Sequence, residues 1–218
     1  MRRPSGARVP GRPAPDRSAL LHERRRDGFP ARVMDAPSPS GQSETAAGPL
    51  PLILTARFDE RAQAWFEARR RAYYPADRNK VPAHLTLFHN LPGDQIAEVE
   101  DELAEECWRL DPVPARATHL RFTGQGVQVV IASPSLEQLR ARLAERWSLS
   151  LTPQDLRPYR PHVTVQNKTS AENARRTFDA FCAVFAPFDC EIEGLDLWRY
   201  LSGPWDRVAD FGFGAAPG

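Results

Sequence analysis

The order strand, helix, strand, helix, strand can be read twice along this chain, once from Leu52 and again from about Val127. In each pass the second strand carries the same pattern, His84-Leu85-Thr86-Leu87 in the first and His162-Val163-Thr164-Val165 in the second. Sequence identity between the passes is low, so the repeat rests on element order and motif position. In the first pass, Leu52–Phe58 reads as a strand and Asp59 as the N-cap of a helix that runs to Tyr73 and stops at Tyr74-Pro75. His84–Leu91 is the second strand, and Asp94–Leu110 a helix with Ile96, Val99, Leu103 and Cys107 on one face. Arg116–Phe122 and Val127–Ala132 flank Gly124-Gln125-Gly126 as a hairpin. The second pass continues with a helix from Ser133-Pro134 through Trp147, a strand at His162–Gln166 and a helix at Ala171–Phe185. Strands at Asp189–Leu201 and Arg207–Phe213 end it. Elements mixed in this way predict an α+β or α/β architecture with two similar lobes, at about 52–122 and 127–200.

Strand side chains alternate faces, so His84 and Thr86 point one way while Leu85 and Leu87 point to the core. The same holds for His162 and Thr164 against Val163 and Val165. Each lobe thus offers an imidazole and a hydroxyl side by side. General acid–base transfer at a phosphate needs this set. A neutral imidazole takes a proton from the attacking hydroxyl or water, and a protonated one gives a proton to the leaving oxygen. The two hydroxyls can donate to the non-bridging oxygens. No metal or other cofactor is required, and no metal-ligand cluster stands out in the sequence.

The segments Pro82-Ala83-His84-Leu85-Thr86-Leu87-Phe88-His89 and Tyr159-Arg160-Pro161-His162-Val163-Thr164-Val165-Gln166 resemble those of the two-histidine (2H) phosphoesterase superfamily, the group often labelled 2′-5′ RNA ligases or 2′,3′-cyclic phosphodiesterases. The resemblance covers about residues 50–214. It implies a bilobal α+β fold with pseudo-twofold symmetry, built of duplicated strand-helix-strand-helix-strand units, with a cleft between two antiparallel sheets. It also implies metal-independent activity on 2′,3′-cyclic phosphates or short RNA ends. By that carry-over His84 is the general acid and His162 the general base, while Thr86 and Thr164 hold the phosphate.

Other residues carry weaker signals. Tyr159 and Arg160 immediately precede the second motif and are candidates for substrate binding, and Lys168 follows it. His89, five positions after His84, falls by strand parity on the opposite face and reads as structural or exposed. Phe88, Trp198 and Tyr200 read as core aromatics before base-stacking ones. Three alternatives stay open: a non-catalytic module for RNA ends or nucleotides, the same chemistry on an ADP-ribose-type cyclic phosphate, or action on a 2′-5′-linked oligonucleotide. Loops set such specificity.

Charge narrows the partner. Residues 1–50 hold nine arginines against five acids, which leaves residues 51–218 at −3 within a net charge of +1. A mildly acidic body argues against gripping long duplex DNA and for a small or terminal substrate, an RNA end or cyclic nucleotide. Residues 1–48, rich in Arg, Pro and Ala, read as a disordered leader, 49–214 as the folded domain and 215–218 as a tail. The compositional break also raises Met34 as an alternative start. No apolar run spans a bilayer. Cys107, Cys182 and Cys190 show no C-x-x-C spacing and fit unpaired thiols in a reducing cytoplasm. A monomer is expected.

Overall fold

The computed structural model describes residues 49–214. The expectations for residues 1–48, for Met34 and for 215–218 lie outside the described residues.

The element order repeats as expected. The first half contains β1 (Leu52–Phe58), α1 (Glu60–Tyr73), β2 (Leu85–Leu91), α2 (Ile96–Trp108) and β3 (Val113–Phe122). The second contains β4 (Val127–Ala132), α3 (Pro134–Arg146), β5 (His162–Gln166), α4 (Ala171–Cys182) and β6 (Phe188–Tyr200), and β7 (Trp205–Gly212) follows. The helices start where side chains can cap them. The Asp59 carboxylate accepts from Ala62 N at 2.9 Å, and its other oxygen accepts from Glu191 N at 2.8 Å, which ties α1 to β6. Ser133 caps α3 by accepting from Leu136 N, and its hydroxyl donates to Pro114 O at 2.8 Å. Both caps therefore fix a helix start to a neighbouring strand.

The strands join into one antiparallel sheet in the order β1-β2-β5-β4-β3-β6-β7, and a β1–β6 pairing closes it into a barrel. The two halves are thus one ring, joined at two seams. At one, β2 meets β5 through the pair Leu85↔Val163. At the other, the long β6 pairs with β3 over Phe188–Ile192 and with β1 over Ile192–Arg199, while β7 lies along its later part. This closure refines the expectation of two facing sheets. It removes free edges that two separate sheets would expose.

Helix α1 lies against β5, β1 and β6, and α4 lies against β3 and β4. Phe66 and Phe181 from these helices are fully buried, and Trp65 packs on Phe188 with ring centroids 4.7 Å apart. Leu85, Leu87, Val163 and Val165 are buried in the same core. The β3–β4 turn needs its glycines. Gly124 has φ +87°, and a Cβ at Gly126 would stand 2.0 Å from Gln166 O on β5.

Candidate active site

The first and second motifs meet at the β2–β5 seam. Leu85 and Val163 are direct partners in an antiparallel pair, so one step along each strand sets His84 beside Thr164 and Thr86 beside His162. All four side chains are half-buried, while the alternating Leu85, Leu87, Val163 and Val165 are buried. Each imidazole therefore neighbours the hydroxyl of the other motif. Two adjoining cavities reflect this crossing: one of about 390 Å³ is lined by His84 and Thr164, and one of about 190 Å³ by His162 and Thr86.

Both imidazoles are oriented in the same way. His84 Nδ1 lies 2.7 Å from Pro82 O and His162 Nδ1 lies 2.7 Å from Arg160 O. A carbonyl can only accept, so each Nδ1 carries hydrogen and each Nε2 is left for the cleft. Desolvation pushes His84 down to about 4, helped by the nearby charges of Arg70, His162 and His89 and opposed by the Pro82 bond. His162 is also lowered, by desolvation and then by Arg121 and His89. Neutral imidazoles are thus favoured in the free protein, His84 more strongly than His162.

Helix α1 holds the first motif from behind. Glu67 Oε1 accepts from Ala83 N at 2.6 Å and Gln63 Nε2 donates to Ala83 O at 2.8 Å, so both backbone groups of the residue before His84 are clamped. Arg70, 3% exposed, donates from Nη1 to Thr164 O at 2.7 Å and from Nε to Asn79 Oδ1 at 2.8 Å. Its bond reaches from a helix of the first half to the motif strand of the second. Gln63, Glu67 and Arg70 escaped sequence reasoning. Their i, i+4 and i, i+3 spacing on α1 is the only signal the chain carries for them.

The cavity beside His84 is basic and aromatic. Arg78, Lys80 and Lys168 line it with Tyr200 and Trp205, and the Trp205 ring stands 4.6 Å from that of His84. Lys168 and Ser202, both on this wall, have φ 59°. Left-handed backbone at non-glycine residues is uncommon and tends to collect at binding sites. Phe88 belongs to the core as expected, whereas Trp198 donates from Nε1 to Thr55 Oγ1 at 2.9 Å. Trp205, which no motif marked, is the aromatic nearest the imidazole.

His89 corrects the parity argument. Thr55 pairs with Thr86 but Leu54 pairs with Phe88, so Leu87 is an extra residue in a β-bulge. Leu87 and Phe88 are both buried, and the shift turns His89 to the other face, while a second register shift before Leu91 returns that residue to the core. His89 consequently lines the same cavity as Thr86 and His162. Its Nδ1 lies 3.2 Å from Asp155 Oδ1, and the Asp155 carboxylate also accepts from His89 N at 2.8 Å and Asn90 N at 3.0 Å. Burial alone would raise Asp155, but the bonds from His89 outweigh it and hold the carboxyl below its ordinary value. Tyr159 and Arg160 line this cavity too. Arg160 is exposed and reaches His162 through its carbonyl. Lys168 borders the other cavity. His119 stays apart on β3, bonded to Thr118.

Among the described residues, no group of three or more His, Cys, Asp or Glu side chains could hold a metal ion. All three cysteines are unpaired. No described helix is long and apolar enough to cross a membrane.

Comparison with known proteins agrees with this fold. Residues 58–204 match the sequence profile of the 2′-5′ RNA ligase superfamily. The fold is similar to the crystal structure of TT0787 of Thermus thermophilus, with a TM-score of 0.57 and 16% identity, covering 76% of this chain and 99% of that one. It is also similar to Escherichia coli LigT complexed with NADP+, with a TM-score of 0.51 and 14% identity over 77% of this chain and 99% of LigT. No curated protein matches. With the family profile spanning both motifs and most of the barrel, the chain belongs to the 2′-5′ RNA ligase superfamily of two-histidine phosphoesterases.

Proposed function

We propose that the protein is a metal-independent phosphodiesterase that opens 2′,3′-cyclic phosphates at RNA ends or on nucleotides, and that the same site can run the reverse transesterification to a 2′-5′ linkage. The observation that carries this reading is the crossed pairing at the β2–β5 seam, where each imidazole, with Nδ1 tied to a carbonyl, stands beside the threonine of the other motif. A nucleotide-sized ligand in LigT, complexed with NADP+, supports a nucleotide substrate for this fold. The basic, Trp205-bearing wall beside His84 suits a phosphate with an attached base.

In the opening reaction His162 Nε2 takes a proton from water as its oxygen attacks phosphorus. The bond from phosphorus to one ribose oxygen breaks, and His84 protonates that oxygen. The product is a ribose monophosphate with a free neighbouring hydroxyl, and one proton has passed from His84 to His162 through the substrate. Thr86 and Thr164 donate to the non-bridging oxygens, where negative charge resides throughout. The assay is hydrolysis of nucleoside 2′,3′-cyclic phosphates in the presence of EDTA, with turnover expected and its absence refuting the reading.

The depressed imidazoles predict a particular pH dependence. The reaction needs one imidazole neutral and the other protonated. In the free protein both lose their protons below the ordinary value of 6.5, His84 at about 4. The profile of kcat/KM, which reports the free enzyme, is therefore expected to peak below pH 6.5 and fall on the alkaline side. A bound phosphate's negative charge raises both groups again, so the kcat profile should lie at higher pH. Coincident profiles, or a kcat/KM maximum above about pH 7, would contradict the arrangement.

A further inference from the structure

Two residues in the wall of the smaller cavity, beside His162, carry buried donors that no described residue accepts from. Arg140 Nε and Tyr159 Oη are buried and have no hydrogen-bond partner among the described residues, and both residues line this cavity of about 190 Å³. Buried donors without partners are costly and are retained where something else satisfies them. Burial pushes the Tyr159 phenol well above its usual range, so it keeps its proton and remains a donor.

The surrounding groups favour an anion. Arg140 is held in place by its Nη2 donating to Asp155 O and by lying over the rings of Phe88 and Tyr159, at 4.7 and 5.2 Å. Arg157 and Arg160 line the same space. The one acid, Asp155, is 2% exposed, and its oxygens are engaged by His89 N, Asn90 N, His89 Nδ1 and Thr152 Oγ1. It therefore offers little repulsion to a ligand. His89, with Nδ1 occupied by this carboxylate, leaves Nε2 free.

Building on the phosphodiesterase reading, we infer that this cavity is a second phosphate subsite, in which Tyr159 Oη, Arg140 Nε and His89 receive a non-reacting phosphate of the substrate while the scissile phosphorus lies between His84 and His162. A ribose 2′,3′-cyclic phosphate carries its next phosphate at the 5′ position, so the preferred substrate class is a 5′-phosphorylated or 5′-linked nucleotide end rather than a nucleoside cyclic monophosphate.

The test compares a nucleoside 2′,3′-cyclic phosphate with its 5′-phosphorylated counterpart. For the wild type, kcat/KM should be at least ~10-fold higher with the 5′-phosphate, the scale of a charge-assisted hydrogen bond. Tyr159→Phe, which removes only the unpartnered hydroxyl, and His89→Asn, at an exposed residue, should each shrink that ratio at least ~5-fold. If Tyr159 were merely a packing residue, the phenylalanine variant would keep the ratio and equal or exceed the wild type in Tm; no preference in the wild type, or a preference untouched by Tyr159→Phe, overturns the subsite. Calorimetry separates its failure from that of the proposed reaction. Inorganic pyrophosphate should bind the His84→Ala/His162→Ala protein and bind at least ~5-fold more weakly once Tyr159→Phe is added. Tyr159-dependent binding by a protein that turns over no cyclic phosphate would sink the reaction and keep the subsite. Turnover with Tyr159-independent binding would do the reverse.

Discussion

Replacing His84 or His162 by alanine is expected to lower kcat on a 2′,3′-cyclic nucleotide by about 10²–10⁴-fold, the usual contribution of a positioned acid or base. The imidazoles are half-buried at the seam rather than central to the core, so the variants should fold, with wild-type circular dichroism serving as the control. The two substitutions should differ on an activated substrate. On a p-nitrophenyl ester of a nucleoside 3′-phosphate the ribose 2′-hydroxyl attacks phosphorus and p-nitrophenolate leaves without protonation. The roles therefore run in reverse: His84 takes the hydroxyl proton, and loss of His162 on the leaving-group side is masked. His162→Ala should recover most of its activity on that ester and His84→Ala should not. The opposite pattern would exchange the roles. The exchange has a physical basis, because His84 is the more strongly depressed of the two and holds its proton only when an anion lies beside it. Equal, small losses in both variants would remove the acid–base pair altogether.

The second large effect is on stability. Asp155→Ala should cost about 2–4 kcal/mol, because it leaves the His89 and Asn90 N–H groups without their acceptor and frees the loop that follows α3. For a domain of this size each kcal/mol shifts Tm by roughly 2–4 °C, so thermal denaturation should show a loss of at least ~4 °C. Asp155→Asn retains one acceptor oxygen and should lose less. The carboxyl is held below its ordinary value, so its contribution is present at neutral pH and is lost as pH falls through the folded-state value. The difference between wild type and Asp155→Ala should therefore narrow on strong acidification. A variant with unchanged Tm would show that the carboxylate does not support the β2–loop junction.

The residues that pattern rules could reach are those governed by local periodicity. β1, β4 and β5 occupy the residues expected of them, Asp59 and Ser133 cap as expected, and the two motifs sit on paired strands. Helix ends drifted: α2 begins at Ile96 after a short 3₁₀ turn instead of at Asp94, and α4 ends at Cys182 instead of Phe185. Nothing local marks the rest. One inserted residue, Leu87, reverses strand parity, and with it the face on which His89 stands. Asp155 lies in an aperiodic loop, and Arg140 reads as an ordinary charged helix position until the loop is folded over it. The ring closure through β6 depends on pairings between residues more than a hundred positions apart, as in Leu52↔Arg199, which no sequence window contains. Gln63, Glu67 and Arg70 show the same limitation. Their partners Ala83 and Thr164 come from other elements.

Identification of the product formed from a nucleoside 2′,3′-cyclic phosphate in EDTA probes the shared phosphate most directly. With a fixed base activating water on one side of the phosphorus and a fixed acid on the other, the same ribose oxygen is protonated in every turnover, so a single monophosphate isomer is the predicted result. Formation of both the 2′ and 3′ isomers in the proportions of uncatalysed hydrolysis, or of neither, would contradict two imidazoles bracketing one phosphorus atom.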